Sequence, residues 1–105
     1  METIIIVEGW VRLEPGEATR MQPAAIAMAA ATRKEPGCLD YAFSQDLSDP
    51  DLVRIAERWR DEDALQRHFT LPHMATFNAA LASAKILGSS VNMYRAELVR
   101  PLTAS

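Results

Sequence analysis

The chain of 105 residues has one cysteine, four isolated glycines, two histidines and no run of like charge. Each scarcity excludes something. A lone Cys38 cannot form an internal disulfide or a C-x-x-C redox pair, which fits a reducing compartment. Glycines this sparse leave no G-x-G-x-x-G or G-x-x-x-x-G-K-[ST] cradle for phosphates, and there is no G-x-S-x-G elbow. A nicotinamide, flavin or nucleotide site built from a recognisable motif is therefore not expected. Eleven Lys and Arg against fourteen Asp and Glu give a net charge of −3 and a pI near 5.3. That balance lacks the basic footprint of a nucleic-acid binder, and no polybasic run suggests a lipid surface. The Ile4–Val7 run is too short for a signal h-region and far too short to span a bilayer, so a soluble cytoplasmic protein is expected. Linkers and low-complexity stretches are missing too, and residues 1–105 read as one domain.

What remains is 49% apolar, but seventeen of those residues are alanines that bury little area. A core built from the other apolar side chains is modest, so a partner subunit would help.

The β-branched run from Ile4 begins a strand reaching about Leu13, stopped by Glu14-Pro15-Gly16-Glu17. Met21, Ala25, Met28 and Ala31 then recur at helical spacing. Pro23 requires that helix to start near Gln22 or to bend there. Glu35-Pro36-Gly37 stops it. Cys38 to Asp46 alternates, with Leu39, Tyr41 and Phe43 on one face. A turn at Ser48-Asp49-Pro50-Asp51 leads into a strand from Leu52 to Arg60, making a hairpin. Asp61 can cap a helix whose inner face is Leu65, His68 and Phe69. Pro72 starts another, striped by Met74, Phe77, Leu81 and Ala84. A last strand runs from about Ile86 to Val99.

The order β-α-β-β-α-β is the α+β, ferredoxin-like plan: a four-stranded antiparallel sheet with helices on one face. Glu8-Gly9-Trp10 and Glu57-Arg58-Trp59 form a faint echo half a chain apart, suggesting two β-α-β halves. The strands are apolar on both faces, Ile5 and Val7 opposing Ile4 and Ile6, and Val91 and Met93 opposing Tyr94 and Leu98. One face takes the helices. The other predicts a homodimer in which two sheets face each other.

Few residues can carry chemistry. His68 and His73 are five apart across Pro72, whereas helical metal ligands usually sit four apart. No Cys or carboxylate completes that pair in sequence, so no metal site is expected. His68 lies on the apolar side of its helix, either as a hydrogen-bonded core histidine or as a base tuned by a dry pocket. Trp59 shares a strand face with Glu57, Ile55 and Val53, as core or interface filler or as the wall of an aromatic pocket. Tyr41 and Tyr94 can each lend a hydroxyl, and Asn78 flanks the Phe77 stripe. Cys38 reads as buried and inert. Arg54, Arg58 and Arg60 read as a solvated edge or inter-subunit ion pairs.

Glu35-Pro36-Gly37-Cys38-Leu39-Asp40-Tyr41, then Glu57-Arg58-Trp59, then Ala64-Leu65, His68 and Pro72-His73 together resemble the antibiotic biosynthesis monooxygenase domain family. That family includes quinol monooxygenases and anthrone oxygenases, and the resemblance covers nearly the whole chain. It implies a dimeric α+β barrel with a pocket between sheet and helices in each subunit. It further implies a cofactor-independent monooxygenase without metal, in which a quinol-like or polycyclic phenolic substrate loses a proton and its anion reduces O₂. His68 would be the base, Trp59 would wall the ring, Tyr41 and Asn78 would orient oxygens, and Phe69 and Phe77 would line the substrate. The haem-degrading branch is not expected. The first strand offers no Asn, and Phe77-Asn78 stand where that branch's haem-ligating His would fall. The alternative functions are a non-catalytic aromatic-ligand-binding or stress-related protein, and an isomerase or dehalogenase on the same scaffold.

Overall fold

The computed structural model describes residues 3–103. Its β-branched opening forms β1 (Thr3–Leu13), whose odd-numbered residues Ile5, Val7 and Gly9 are buried while Glu8 and Trp10 face outward. Gly16, in the left-handed region at φ 83°, starts the short helix α1 (Glu17–Arg20). Helix α2 (Gln22–Thr32) follows after a joint at Met21, with Pro23 in its first turn. Both accommodations that Pro23 allows are therefore used: the segment bends, and the proline sits where no backbone donor is needed.

Strand β2 (Cys38–Asp46) has the expected bounds, but β3 (Asp49–Trp59) begins three residues before Leu52. Asp46 carries the turn, its carboxylate accepting from the backbone N–H and hydroxyl of Ser48 at 3.1 and 2.7 Å. Asp49 can then pair directly with Asp46. Pro50 is tolerated because β1 joins β3 only from Leu52 onward. Asp61 caps α3 (Glu62–His68) by accepting from the Ala64 N–H at 2.8 Å. Pro72 opens α4 (Pro72–Leu81), which stops short of Ala84. Strand β4 (Ile86–Glu97) ends two residues before Val99.

The four strands form one antiparallel sheet in the order β2-β3-β1-β4, the ferredoxin-like α+β fold that the element order predicts. Ile5, Val7, Tyr41 and Trp59 on the sheet meet Met28, Ala29, Ala64 and Leu65 on the helices to make the core. The echoed Glu-x-Trp pairs are not equivalent. Glu57 and Trp59 turn toward the helices, whereas Trp10 pairs with Arg54 and faces outward.

Apolar exposure is concentrated on β4, where every residue but Gly88 and Ala96 is exposed. Met93 is 50% exposed and Tyr94, on the opposite face, 48%. The rest of the open face mixes half-buried Ile4 and Ile6 with Glu8, Arg54 and Arg58. Among the described residues no helix is long and apolar enough to cross a membrane.

Candidate functional site

The turn after α2 sets the site. The Cys38 N–H donates to the Glu35 carbonyl at 3.1 Å, with Pro36 second in the turn and Gly37 third at φ 86°. That is the chemistry of a type II turn, where the third residue must have positive φ. A Cβ on Gly37 would lie 2.6 Å from the Ala64 Cβ, so the turn is seated directly against the start of α3. The Gly37 carbonyl accepts from the Arg60 N–H at 2.8 Å, tying the turn to the end of β3. Glu35 is consequently held inward and is only 8% exposed.

Ala64, Leu65 and His68 fall on one face of α3 by their spacing of one, three and four, and all three are buried, His68 to 1% exposure. The Nδ1 of His68 lies 2.7 Å from Oε2 of Glu35. His73, second in α4, brings its Nε2 to 2.6 Å from that same oxygen. One buried carboxylate oxygen thus serves two imidazoles. No carboxylate stands near His68 and His73 in sequence; Glu35, 33 residues before His68, is the one that joins them. Its signal lay in the Glu-Pro-Gly turn, which reads first as a helix stop.

Aromatic rings enclose His68. Trp59 has its centroid 4.9 Å away, Tyr41 5.6 Å and Phe69 5.7 Å. The Trp59 indole N–H donates to Oε1 of Glu57 at 2.9 Å, another buried carboxylate, which in sequence is marked only by sharing a strand face with Trp59. Burial raises the Glu57 pKa, opposed by that indole bond. Burial, then the charges of Glu57 and Glu35, push the Tyr41 hydroxyl far above its ordinary range. Tyr41 is therefore a donor and not a base. Burial also raises the thiol of Cys38, with Glu35 and Glu57 adding to it, which fits an inert cysteine.

The other expected site residues separate. Phe77 helps line an apolar cavity of about 90 Å³ under the sheet, with Phe43, Val53 and Ile55. A groove of about 340 Å³ lies beside it, where Gln22, Arg33 and Gln45 supply polar groups. The two share Ala18, Ala25, Phe43 and Val53. Asn78 is exposed and lines neither, and Phe69 sits half-exposed on the outer side of His68. His68 and Trp59 line neither cavity. They meet the apolar cavity through stacked rings: Tyr41 packs edge-on to Phe43 at 5.2 Å, and Phe43 stacks on Phe77 at 5.4 Å.

This arrangement can hold and move a proton. A carboxylate that accepts Nδ1–H fixes the imidazole tautomer and leaves the lone pair on Nε2, the logic of any carboxylate-oriented histidine base.

A family model described as antibiotic biosynthesis monooxygenase matches residues 4–80. A Deinococcus radiodurans structure designated a candidate antibiotic biosynthesis monooxygenase superposes with a TM-score of 0.84 at 28% identity, covering 95% of this chain and 99% of that one. A Pseudomonas aeruginosa structure superposes at 0.81 and 28% identity, covering 93% and 98%. An uncharacterized Synechocystis protein is 29% identical over 73 residues, which are 70% of this chain and 50% of that protein. The chain therefore spans about half the length of that curated relative.

Proposed function

The chain belongs to the antibiotic biosynthesis monooxygenase family, and from that premise we propose that it is a cofactor-independent monooxygenase acting with O₂ on a quinol-like or anthrone-type substrate. The buried hydrogen bond between Glu35 and Nδ1 of His68 carries this reading. With its tautomer fixed, His68 accepts the acidic proton of the substrate at Nε2, in an environment that excludes water. The substrate anion then reduces O₂ and recombines with it. For an anthrone-type CH₂, one oxygen atom becomes the new C=O and the other leaves as water with both hydrogens. Substrate supplies all four electrons, so no external reductant is needed. The Tyr41 hydroxyl, held protonated, is a donor for developing oxyanion charge. The apolar cavity at Phe43 and Phe77 and the Gln22–Arg33–Gln45 groove lie across the Tyr41 and Phe43 rings from His68, so turnover requires these rings to part and let the bound substrate reach Nε2.

The test is oxygen uptake by purified protein with a hydroquinone. His68→Ala should lower turnover by about 10²–10⁴-fold while leaving the fold intact; undiminished turnover would refute the base.

One observation favours a second reading. Because His68 and Trp59 line neither cavity, a protein that binds aromatic ligands without transforming them also fits. Saturable binding without oxygen uptake or product would select it.

Assembly is part of the same proposal. Tyr94 on the open face of β4, beside half-buried Ile6 and Ile4, marks the surface on which the sheet of a second copy would pair, while exposed Val91 and Met93 lie on the other face of the same strand. Light scattering should give twice the 11.6 kDa chain mass.

A further inference from the structure

The buried end of the site holds two carboxylates without a permanent counter-charge. Among the described residues Glu35 is met only by two imidazoles, and Glu57 only by the indole N–H of Trp59. Among the described residues no Lys or Arg forms an ion pair with either. Burying carboxylates without a cation is costly, so this pocket favours positive charge. Two imidazole nitrogens from different helices also aim at one point, the position of Glu35 Oε2, and the three donor atoms lie within 4.8 Å of one another. From this juxtaposition we propose that Glu35, Nδ1 of His68 and Nε2 of His73 form a binding site for one first-row divalent cation of the zinc class.

Protons now bridge the two nitrogens to the carboxylate at 2.7 and 2.6 Å. An ion replacing them, with bonds of about 2.0–2.2 Å, sets each N···O separation near 3.0–3.5 Å. The required widening is roughly half an ångström or a little more, within reach of a glutamate rotamer and the start of α4. The five-residue spacing, wrong for one continuous helix, works because α3 ends at His68 and Pro72 begins a new helix that turns His73 back. The His73 side chain is 23% exposed, giving the ion an entry and leaving room for water as a further ligand. Two nitrogens and one oxygen select zinc, cobalt or ferrous ion over magnesium or calcium, which prefer oxygen alone.

One consequence rests on the proposed function. An ion on Nδ1 leaves the remaining ring proton on Nε2, so loaded His68 cannot accept a proton from substrate. Zinc is then a reversible inhibitor of the base.

The experiment titrates the purified full chain with Zn²⁺ by calorimetry and by ¹⁵N-detected histidine NMR. The expected result is saturable 1:1 binding, with the largest changes at Nδ1 of His68 and Nε2 of His73, and no binding of Mg²⁺. Loss of an outer partner of a metal ligand already weakens metal binding about 10–100-fold, so His73→Gln and Glu35→Gln should each weaken it at least a hundredfold. The NMR readout needs no variant and stands even where Glu35→Gln does not fold. Absence of binding at millimolar zinc, or undiminished binding in His73→Gln, overturns the site. Oxygen uptake separates the two claims. Binding that leaves turnover intact keeps the site and refutes His68 as base; turnover in a protein that binds no zinc does the reverse.

Discussion

Gly16 and Gly37 share one backbone conformation in two surroundings, which allows a clean test of what seats the Glu35 turn. Their φ angles are 83° and 86°, where an L side chain is strained by roughly 1–2 kcal/mol. Around Gly16 an added Cβ meets nothing within 4 Å, so Gly16→Ala should cost that strain alone. At Gly37 the same Cβ would lie 2.6 Å from the Ala64 Cβ, and 3.4 Å from the Arg60 guanidinium. Overpacking of this kind costs about 1–3 kcal/mol beyond the strain, placing Gly37→Ala at about 2–5 kcal/mol. Domains of this size have ~5–15 kcal/mol to lose, so the variant should still fold. Urea unfolding at one fixed protein concentration measures both, with the slope m held unchanged to certify a stability effect. Adding Ala64→Gly to Gly37→Ala should recover the overpacking share, less about 1 kcal/mol for a glycine in a helix. Equal costs for Gly16→Ala and Gly37→Ala would refute the reasoning, because the turn would then not be pressed against α3. So would a double variant clearly less stable than the single.

Glu57→Gln keeps an oxygen for the Trp59 indole and removes a buried charge. Because the folded-state pKa of Glu57 is raised, its protonated form is the one folding favours. That contribution is present at low pH and lost as pH rises through the folded value. Thermal melts should therefore show variant and wild type close together near pH 4 and the variant more stable at pH 8; the opposite trend would mean the charge is compensated. Thr32 is fully buried with its hydroxyl oxygen unpartnered. Thr32→Val, of the same shape, should be neutral or stabilising by about 1 kcal/mol, and a clear loss in chemical denaturation would reveal a hidden partner.

The fold was legible where local chemistry is strong. Ile4–Val7, the alternation from Asp40 and the Asp61 cap each specify an element without help from the rest, whereas Leu39, expected on the face of Tyr41 and Phe43, falls at a register shift and is exposed. The hairpin boundary was missed because Asp46 closes a tighter turn through Ser48 than Pro50 suggests. Half of the site was legible as well, since His68 on an apolar helix face announces a buried imidazole. Its partner was not. Glu35 lies a third of the chain away, and only the packing of the Gly37 turn on Ala64 brings it under His68. Asn78 and Phe69 sit beside inward residues in sequence, yet helical rotation carries both outward.

Strand order has a consequence for how the molecule is made. β1, synthesised before both of its neighbours, is interior to the sheet and takes β3 on one side and β4 on the other. Of the eight described elements, β4 is synthesised after the other seven. Until it emerges, β1 carries an open edge rich in isoleucine, and pairings across such sequence distances form slowly. The half-made sheet is therefore the stage most exposed to misassembly and to chaperone capture.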